Sequence, residues 1–575
     1  MSETIHSASI ERRRGVALLT VLLIVVAVTI IGTGFLARAD TELACGGNML
    51  LRTQMDHLAD SGLEHARGML LHPQEASDTY WTGETALQLV DPSSDYYNVS
   101  VARNASDVTD YCTYDLTCTA YRVRDGSQVG QSSLGAQLRL DPCVAFWRTG
   151  PVTFRPNWIL HGDLYSAGTV VNQAAQEAID GDLFCSGLAG AIVGQVKDAN
   201  DLSLAWPPVT SSYVHPDYPA INVSGTLGGY YGPASIWRAS NDLILGNAVM
   251  MEGMLRAAGN VVVSGEGVRL QAGKNLPVLH VGGNLIIEEV NDLQIKGLCV
   301  VDGNVQISAA ANVAITGGLF VNGEILETTA DSSGNGNSGR VHGSPRWTTG
   351  QTGGALELDG IDDFVDCGVN PLFDLAGQIT VAAWVRTKDA GNGQDNPYVT
   401  KGNSAYALRH LGGNAIEFGI YDGGWQSVQF PVNTSFNDVW HHIAATYDGN
   451  EIKLYVDGGT PKATTLHAGS IQVSPGDPLC IGADGQTLTQ FYSGAMDDVR
   501  VYDRALPQAE IDTIRIGGAV SGLVAQWALN EPGSRVTILA EPMISAIIAY
   551  PDGFFGLPVQ WGPAVGGFFR SIHRQ

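Results

Sequence analysis

The chain has 575 residues, 70 of them glycine, and 58 acidic against 32 basic side chains give it a net charge of −26. Such an excess of carboxylate repels a phosphate backbone and excludes nucleic acid as a partner. The length exceeds what one hydrophobic core can serve, so three or four domains are expected, and the glycine content with many Val, Ile and Thr alternations predicts a mainly β protein rich in turns.

Glu11-Arg12-Arg13-Arg14-Gly15 stand before GVALLTVLLIVVAVTIIGTGFLA, the run from Gly15 to Ala37, which holds 23 residues without an ionisable side chain. At about 1.5 Å per residue this helix is roughly 34 Å long, enough to cross a hydrocarbon core of about 30 Å. The arginines before it and the acidic chain after it predict a cytoplasmic N-terminus and an exterior bulk. A signal peptide has a shorter apolar core and a small-residue cleavage site behind it. Here the run continues instead into a second helical pattern, with Leu51, Met55, Leu58, Gly62, Ala66 and Met69 at spacings of three and four as far as Pro73.

A basic leader, a glycine, an apolar helix and an amphipathic continuation resemble the N-terminus of type IV prepilins and type II secretion pseudopilins. The resemblance implies a leader of residues 1–15, removed by a prepilin peptidase after Gly15, and a mature chain beginning at Val16 with its helix over 16–73. Thr20 stands at the fifth mature position, where major pilins carry glutamate. In this the run is similar to K-type minor pseudopilins and X-type minor pilins. The implied setting is the bacterial inner membrane, single-pass, with the bulk periplasmic or at the cell surface and with other pilin-like subunits as partners. A plain signal anchor is the alternative reading.

Residues 74–150 hold alternating runs, YYNVSVA from Tyr96, YDLTCTAYRV from Tyr114 and GAQLRL from Gly135, which predict an antiparallel sheet packed on the helix, a pilin-like head. The eight cysteines form no CxxC or zinc pattern. Cys112 and Cys118 are the candidate disulfide outside the cytoplasm, and Cys299, in an apolar run, is expected as a buried thiol. From 151 to 326 a repeat appears: VLHVGGNLII at Val278, LCVVDGNVQI at Leu298 and LFVNGEI at Leu319, with starts 20 and 21 residues apart. Fainter copies begin at Ile159, Ala178 and Gly259. Strand, Gly-Asn or Gly-Asp turn, strand, at that period is the pattern of stacked coils, read as a right-handed parallel β-helix. The turn Asn and Asp residues suit left-handed geometry or side-chain ladders.

Residues 331–516 change character. GALELDGIDDFVDCG from Gly354, ITVAAWVRT from Ile379, VWHHIAATYDGNEIKLYVDG from Val439 and FYSGAMDDVRVYDRALPQAEI from Phe491 resemble, in order and spacing, the LamG-like (concanavalin A-like) jellyroll, assigned here to residues 327–534. Glu357-Leu358-Asp359 followed by Asp362 is similar to the carboxylate motif of glucanases of that fold, but the last position is Asp, and no acid–base pair emerges, so an enzyme is not expected. Trp440-His441-His442 does not read as a metal site, because neighbours on a strand face opposite ways. Calcium is the candidate cofactor, since it takes six to eight oxygens and Asp359, Asp362, Asp363, Asp497 and Asp498 lie in segments that meet in such domains; Asp359, Asp362 and Asp498 are the chosen ligands. Tyr421, Trp425 and Tyr492 are the aromatics expected to stack on a glycan.

A LamG-like domain opens with a strand like GLVAQWALNE and continues into a loop like DSSGNGNSG. The loop is at Asp331–Gly339, whereas the strand is at Gly522–Glu531. The reading is a circularly permuted jellyroll inserted into the β-helix, left near Leu326 and rejoined near Arg535, with residues 535–575 returning to pack on the final coils. The expected function is display of the jellyroll for adhesion or for recognising a carbohydrate or protein. Alternatives are a purely structural filament-tip or assembly subunit and, further off, a glycan-active enzyme.

Overall fold

A computed structural model describes residues 7–71, 82–103, 113–141, 144–201, 206, 218–273, 276–388, 393–540 and 566–574. It is mainly β, with one long apolar helix, a β-solenoid of about eight turns and a concanavalin A-like sandwich.

The helix spans Ser7–Leu71, 65 residues, or about 97 Å. Its large apolar side chains from Val16 to Leu50 are exposed, whereas Met55, Leu58, Ala59, Leu63, Ala66 and Leu70 are buried. The change has a plain cause. The second half lies on an antiparallel sheet in the order Gly83–Leu87, Asp95–Arg103, Thr113–Arg124, Ser127–Asp141 and Gly566–Arg574, whose inward side chains include Tyr97, Val99, Leu116, Cys118 and Leu138. Gly62 is required at this contact, because a Cβ there would run into the Cys118 thiol and the Tyr97 ring. Cys118 is a buried free thiol facing the helix, and burial pushes it up to about 12. The Cys112–Cys118 pairing is therefore corrected for Cys118; Cys112 lies outside the described residues. Cys299 is the buried thiol expected of it.

The solenoid begins earlier than the sequence suggested, at Val144–Arg148, and its stacking order departs from chain order. One face is a parallel sheet running Val196–Asp198, Leu183–Cys185, Asp163–Ser166, Val144–Arg148, Asn312–Val321, Leu293–Val301, Met250–Ala257, Tyr230–Ala239, Ala220–Asn222, with Arg269–Gln271 and Leu279–Val281 between the two strands either side of them. The first coil thus sits inside the stack. The chain climbs from it to one end, restarts at the other end and winds back until Leu319 lies opposite Phe146. The turn residues form the expected ladder: the Asp242, Asn260, Asn284 and Asn304 side chains accept, in turn, from the backbone N–H of Asn260, Asn284, Asn304 and Glu324 at 2.7–2.9 Å. Each such bond satisfies a turn amide that coil stacking alone leaves open.

On another face, Gly225–Leu227, Leu243–Leu245, Val261–Val263, Leu285–Ile287, Val305–Ser308 and Ile325–Thr329 pair in parallel. Gly339–His342 then pairs antiparallel with Ile325–Thr329, and the same sheet runs on into the sandwich through Phe364–Asp366, Leu479–Ile481, Asn396–Lys401, Tyr406–Leu411, Ala415–Tyr421 and Trp425–Pro431. The opposing sheet holds Arg346–Thr349, Gly354–Asp359, Ser493–Tyr502, Ile379–Thr387, His441–Tyr447, Glu451–Val456 and Ala463–Leu466.

The strand Leu523–Trp527 pairs antiparallel with Ser493–Tyr502, so the permutation read from the sequence is present. The loop after Thr329 clasps this strand. Asp331 Oδ1 accepts from Gln526 N at 3.0 Å, Asn337 Nδ2 donates to Val524 O at 3.1 Å, and Trp527 Nε1 donates to Asn337 O at 2.8 Å. Entry and exit are tied together: Glu531 Oε1 accepts from Thr329 Oγ1 and Ala330 N. Glu327, 2 % exposed, accepts from Ser534 N at 2.8 Å, from Ser534 Oγ and from Trp347 Nε1 at 3.1 Å, with Arg155 at 3.8 Å.

The exit strand Arg535–Ala540 lies between Asn312–Gly317 and Trp158–His161, parallel to both, as the insertion reading requires; residues 541–550 of that expected return are outside the described residues. The end of the chain is a correction. Gly566–Arg574 pairs with Ser127–Asp141 in the helix-backed sheet and not with the solenoid. It covers an edge strand that would otherwise present unpaired backbone groups.

Replacing Glu327 by Ala leaves the buried Arg155 and Ser534 donors, and the half-buried Trp347 indole N–H, without their acceptor. The expected loss is about 3 kcal/mol, read as a lower denaturation midpoint by tryptophan emission, against less than about 0.5 kcal/mol for an exposed control such as Glu84→Ala.

Candidate functional site

The strand Gly354–Asp359 buries Leu356 and Leu358 and turns Glu357 and Asp359 outward. The turn that follows brings Asp359, Asp362 and Asp363 together, with ligand oxygens within 4.8 Å of one another. Asp359 Oδ1 accepts from Ile361 N at 2.8 Å, and Asp363 accepts from Ser344 N and Asp359 N. Burial, with Asp359 beside it, raises Asp362; burial pushes Asp363 up to about 7 although two backbone N–H groups oppose the shift. Asp498 does not join them. The register pairs Asp359 with Ser493, which leaves Asp498 five residues along the strand, where Arg500 holds it at 2.7 Å and Gln526 donates to it at 2.8 Å. Asp497 accepts from Thr352 N, and burial pushes it up to about 6. The calcium expectation thus narrows to Asp359, Asp362 and Asp363.

Asp359 and Asp363 border a cleft of about 510 Å³ between solenoid and sandwich, lined also by Asn172, Gln173, Arg346, Glu357 and Lys388 among others. Glu357 is held by Lys388 at 2.6 Å, and Gln173 donates across the cleft to Ser344 O. Asn172 donates to Ala191 O at 2.6 Å, so several of the lining groups are already engaged, as a domain seam requires.

The aromatic candidates divide. Tyr492 is 0 % exposed, its ring edge-on to Tyr398 and its hydroxyl at Thr387 and Ala495 O. It belongs to the core, and its role as a ligand platform is corrected. Trp425 is 41 % exposed. It lies over Gly419, where a Cβ would come within 3.0 Å of the indole, and Tyr421 meets it edge-on at 5.6 Å. Trp425 forms one wall of a cleft of about 280 Å³ whose other lining includes Asn403, Ala407, Arg409, Asp484, Thr487 and Gln490. Arg409 is bound to Glu417 at 2.7 and 2.8 Å and to Asp395 at 3.6 Å. Burial alone would raise the Glu417 carboxyl, but hydrogen bonds from Gln429 and Arg409 and the guanidinium charge hold it below the usual range. Asp484 accepts from Thr489 N at 2.9 Å, from Thr489 Oγ1 at 3.0 Å and from Thr487 Oγ1. Of the residues lining this cleft the sequence reading named Trp425 alone, with Tyr421 beside it outside the lining. For Asp484, Thr487 and Gln490 the signal was the polar turn ADGQTLTQ from Ala483.

The two histidines face apart, as strand geometry demands. His441 stacks on Phe436 at 3.9 Å and meets Asp457 at 2.9 Å; His442 is buried against Trp384.

Residues 359–512, 154 of 575, match the profile of the Concanavalin A-like lectin/glucanases superfamily, Laminin_G_3. No curated protein matches. Among solved structures the chain is similar to domain 4 of AbnA, a GH43 extracellular arabinanase from Geobacillus stearothermophilus, solved with arabinotriose. That likeness has 17 % identity, a TM-score of 0.27, and covers 32 % of this chain and 97 % of that one. It is also similar to the receptor binding domain of botulinum neurotoxin mosaic serotype C/D, with 19 % identity and TM-score 0.27, covering 32 % and 47 %. Mouse laminin alpha1 chain domains LG4-5 follow, with 13 % identity and TM-score 0.22, covering 33 % and 48 %. The chain spans about half the length of the last two.

Two outcomes are expected. Burial lowers His442 from 6.5 to about 4, so between those values the unfolded chain binds a proton that the folded one does not, and the stability His442 contributes falls as pH falls from about 6.5 to about 4. His442→Leu should therefore flatten the melting-temperature profile over that window; an unchanged slope contradicts the assignment. A calcium ion on the aspartate cluster would raise the melting temperature with the logarithm of its concentration. Asp362→Asn would abolish that rise, and identical melting in calcium and in chelator removes calcium from the account.

Proposed function

We propose that the chain is a membrane-anchored, pilin-like surface subunit that carries its jellyroll on a solenoid to recognise a glycan outside the cytoplasm. The observation that carries the anchor is the helix. Its first half is apolar and exposed over residues that fit a membrane span, mean hydropathy 2.8 in the best window, while its second half is the core of a small antiparallel domain. An anchor that continues rigidly into a folded head suits a prepilin-like subunit better than a cleaved signal. Gly15 and Val16 as processing site, a prepilin peptidase and other pilin-like subunits as partners, and a cytoplasmic N-terminus all belong to this reading.

Recognition is supported by the lectin/glucanase profile and by the open Trp425 cleft. A binding role without catalysis is favoured because Glu357 is paired with Lys388 and Asp359 caps its own turn, so that among the described residues neither of these two stands free as the acid or base that glycoside hydrolysis needs. The sheet shared by solenoid and sandwich favours a second reading, a rigid structural cap on a filament with no ligand.

N-terminal sequencing of the membrane-extracted protein should begin at Val16; a mature terminus beyond Ala37 overturns the anchor. A glycan array probed with the detergent-solubilised full chain should give saturable signals, and an array without signal overturns recognition in favour of the structural cap.

A further inference from the structure

From this glycan-binding reading, on which the inference rests, the geometry points to the Trp425 cleft as the binding site and to an uncharged sugar as its ligand class. Three features argue for it. Trp425 offers an exposed indole whose position is fixed from behind by Gly419 and from the side by Tyr421, so stacking a sugar ring on it costs little side-chain freedom. Facing it, Asn403 and Gln490 line the cleft with amide side chains that have no hydrogen-bond partner among the described residues. An aromatic wall with a few convergent amide donors and acceptors is what a hydroxyl-rich ring requires.

The charges decide the class. Arg409 is the cation lining the cleft, and it is already bound to two carboxylates, Glu417 and Asp395. Asp484 adds a further negative charge, its oxygens filled by Thr487 and Thr489. With Arg409 counted against Glu417, Asp395 and Asp484, the local balance is negative, on a chain whose net charge is −26. A sialylated, sulfated or uronic glycan would bring its anion to a surface with no uncommitted cation and meet like charge. A neutral sugar meets no such penalty.

The test is binding of the solubilised full chain to immobilised neutral gluco-, manno-, galacto- and arabino-oligosaccharides and to sialylated and sulfated glycans, with Trp425→Ala, Asn403→Ala and Gln490→Ala beside the parent. Melting temperatures check that each variant is folded, and Asn403, exposed at the rim, keeps the test open if the tryptophan variant is not. The expected result is at least one neutral series bound, weakened tenfold or more by Trp425→Ala and severalfold by Asn403→Ala or Gln490→Ala, with anionic glycans bound at least fivefold more weakly. Neutral binding that all three folded variants retain overturns the cleft and leaves glycan recognition standing. Trp425-dependent binding that prefers anionic glycans overturns the neutral class alone. No binding to any glycan overturns both the cleft and the reading it rests on.

Discussion

Glu327 sits on the last solenoid strand before the sandwich and holds, in one buried carboxylate, the strand that leaves the sandwich through Ser534, the sandwich through Trp347 and the neighbouring coil through Arg155. The geometry it enforces is that the jellyroll must begin and end at the same place. A domain whose ends lay far apart could not be inserted between Thr329 and Arg535 without pulling the coils open. Permutation meets this demand: moving the usual first strand to Leu523–Trp527 brings the exit beside the entry, and Glu531 closes the gap with hydrogen bonds to Thr329 and Ala330.

The consequence reaches past the insert. Because the exit is delivered at a coil position, Arg535–Ala540 lies between Asn312–Gly317 and Trp158–His161 and fills the place that the interrupted winding leaves. Val144–Arg148 stacks on the other half of the same long strand. One level of the solenoid is thus built from two segments nearly four hundred residues apart, and the chain's last strand, Gly566–Arg574, joins the sheet that the N-terminal helix backs. Solenoid and sandwich thus share one continuous sheet, while the helix is backed by a separate five-stranded sheet that the last strand completes.

Much of this was legible in the sequence. The helix showed as an uninterrupted apolar run, the coils as a period of about twenty residues, and the permutation as two motifs, GLVAQWALNE and DSSGNGNSG, at opposite ends of one domain. What was not legible depends on pairing between distant segments. The repeat reads the same whether its coils stack in chain order or not, and only the register of Leu319 with Phe146 reveals the re-entrant order. The same limit separated Asp498 from Asp359: both lie in segments that do meet, but a pairing of Asp359 with Ser493 sets them five residues apart. Tyr492 looked like Trp425 because both are aromatics near turns; one lies in the core between the sheets and the other on the outside. The final strand carried no strong periodic signal, since its pairing is decided by the free edge it covers.

The measurement that bears most directly on the inserted, permuted architecture is peptide-resolved hydrogen exchange of the full chain. Residues 523–527 and 535–540 are predicted to exchange as slowly as their partners 493–502 and 312–317, because each forms ladder bonds inside a buried sheet. Exchange of 523–540 within seconds, while 493–502 and 312–317 stay protected, would contradict it and return that segment to the status of a loose tail.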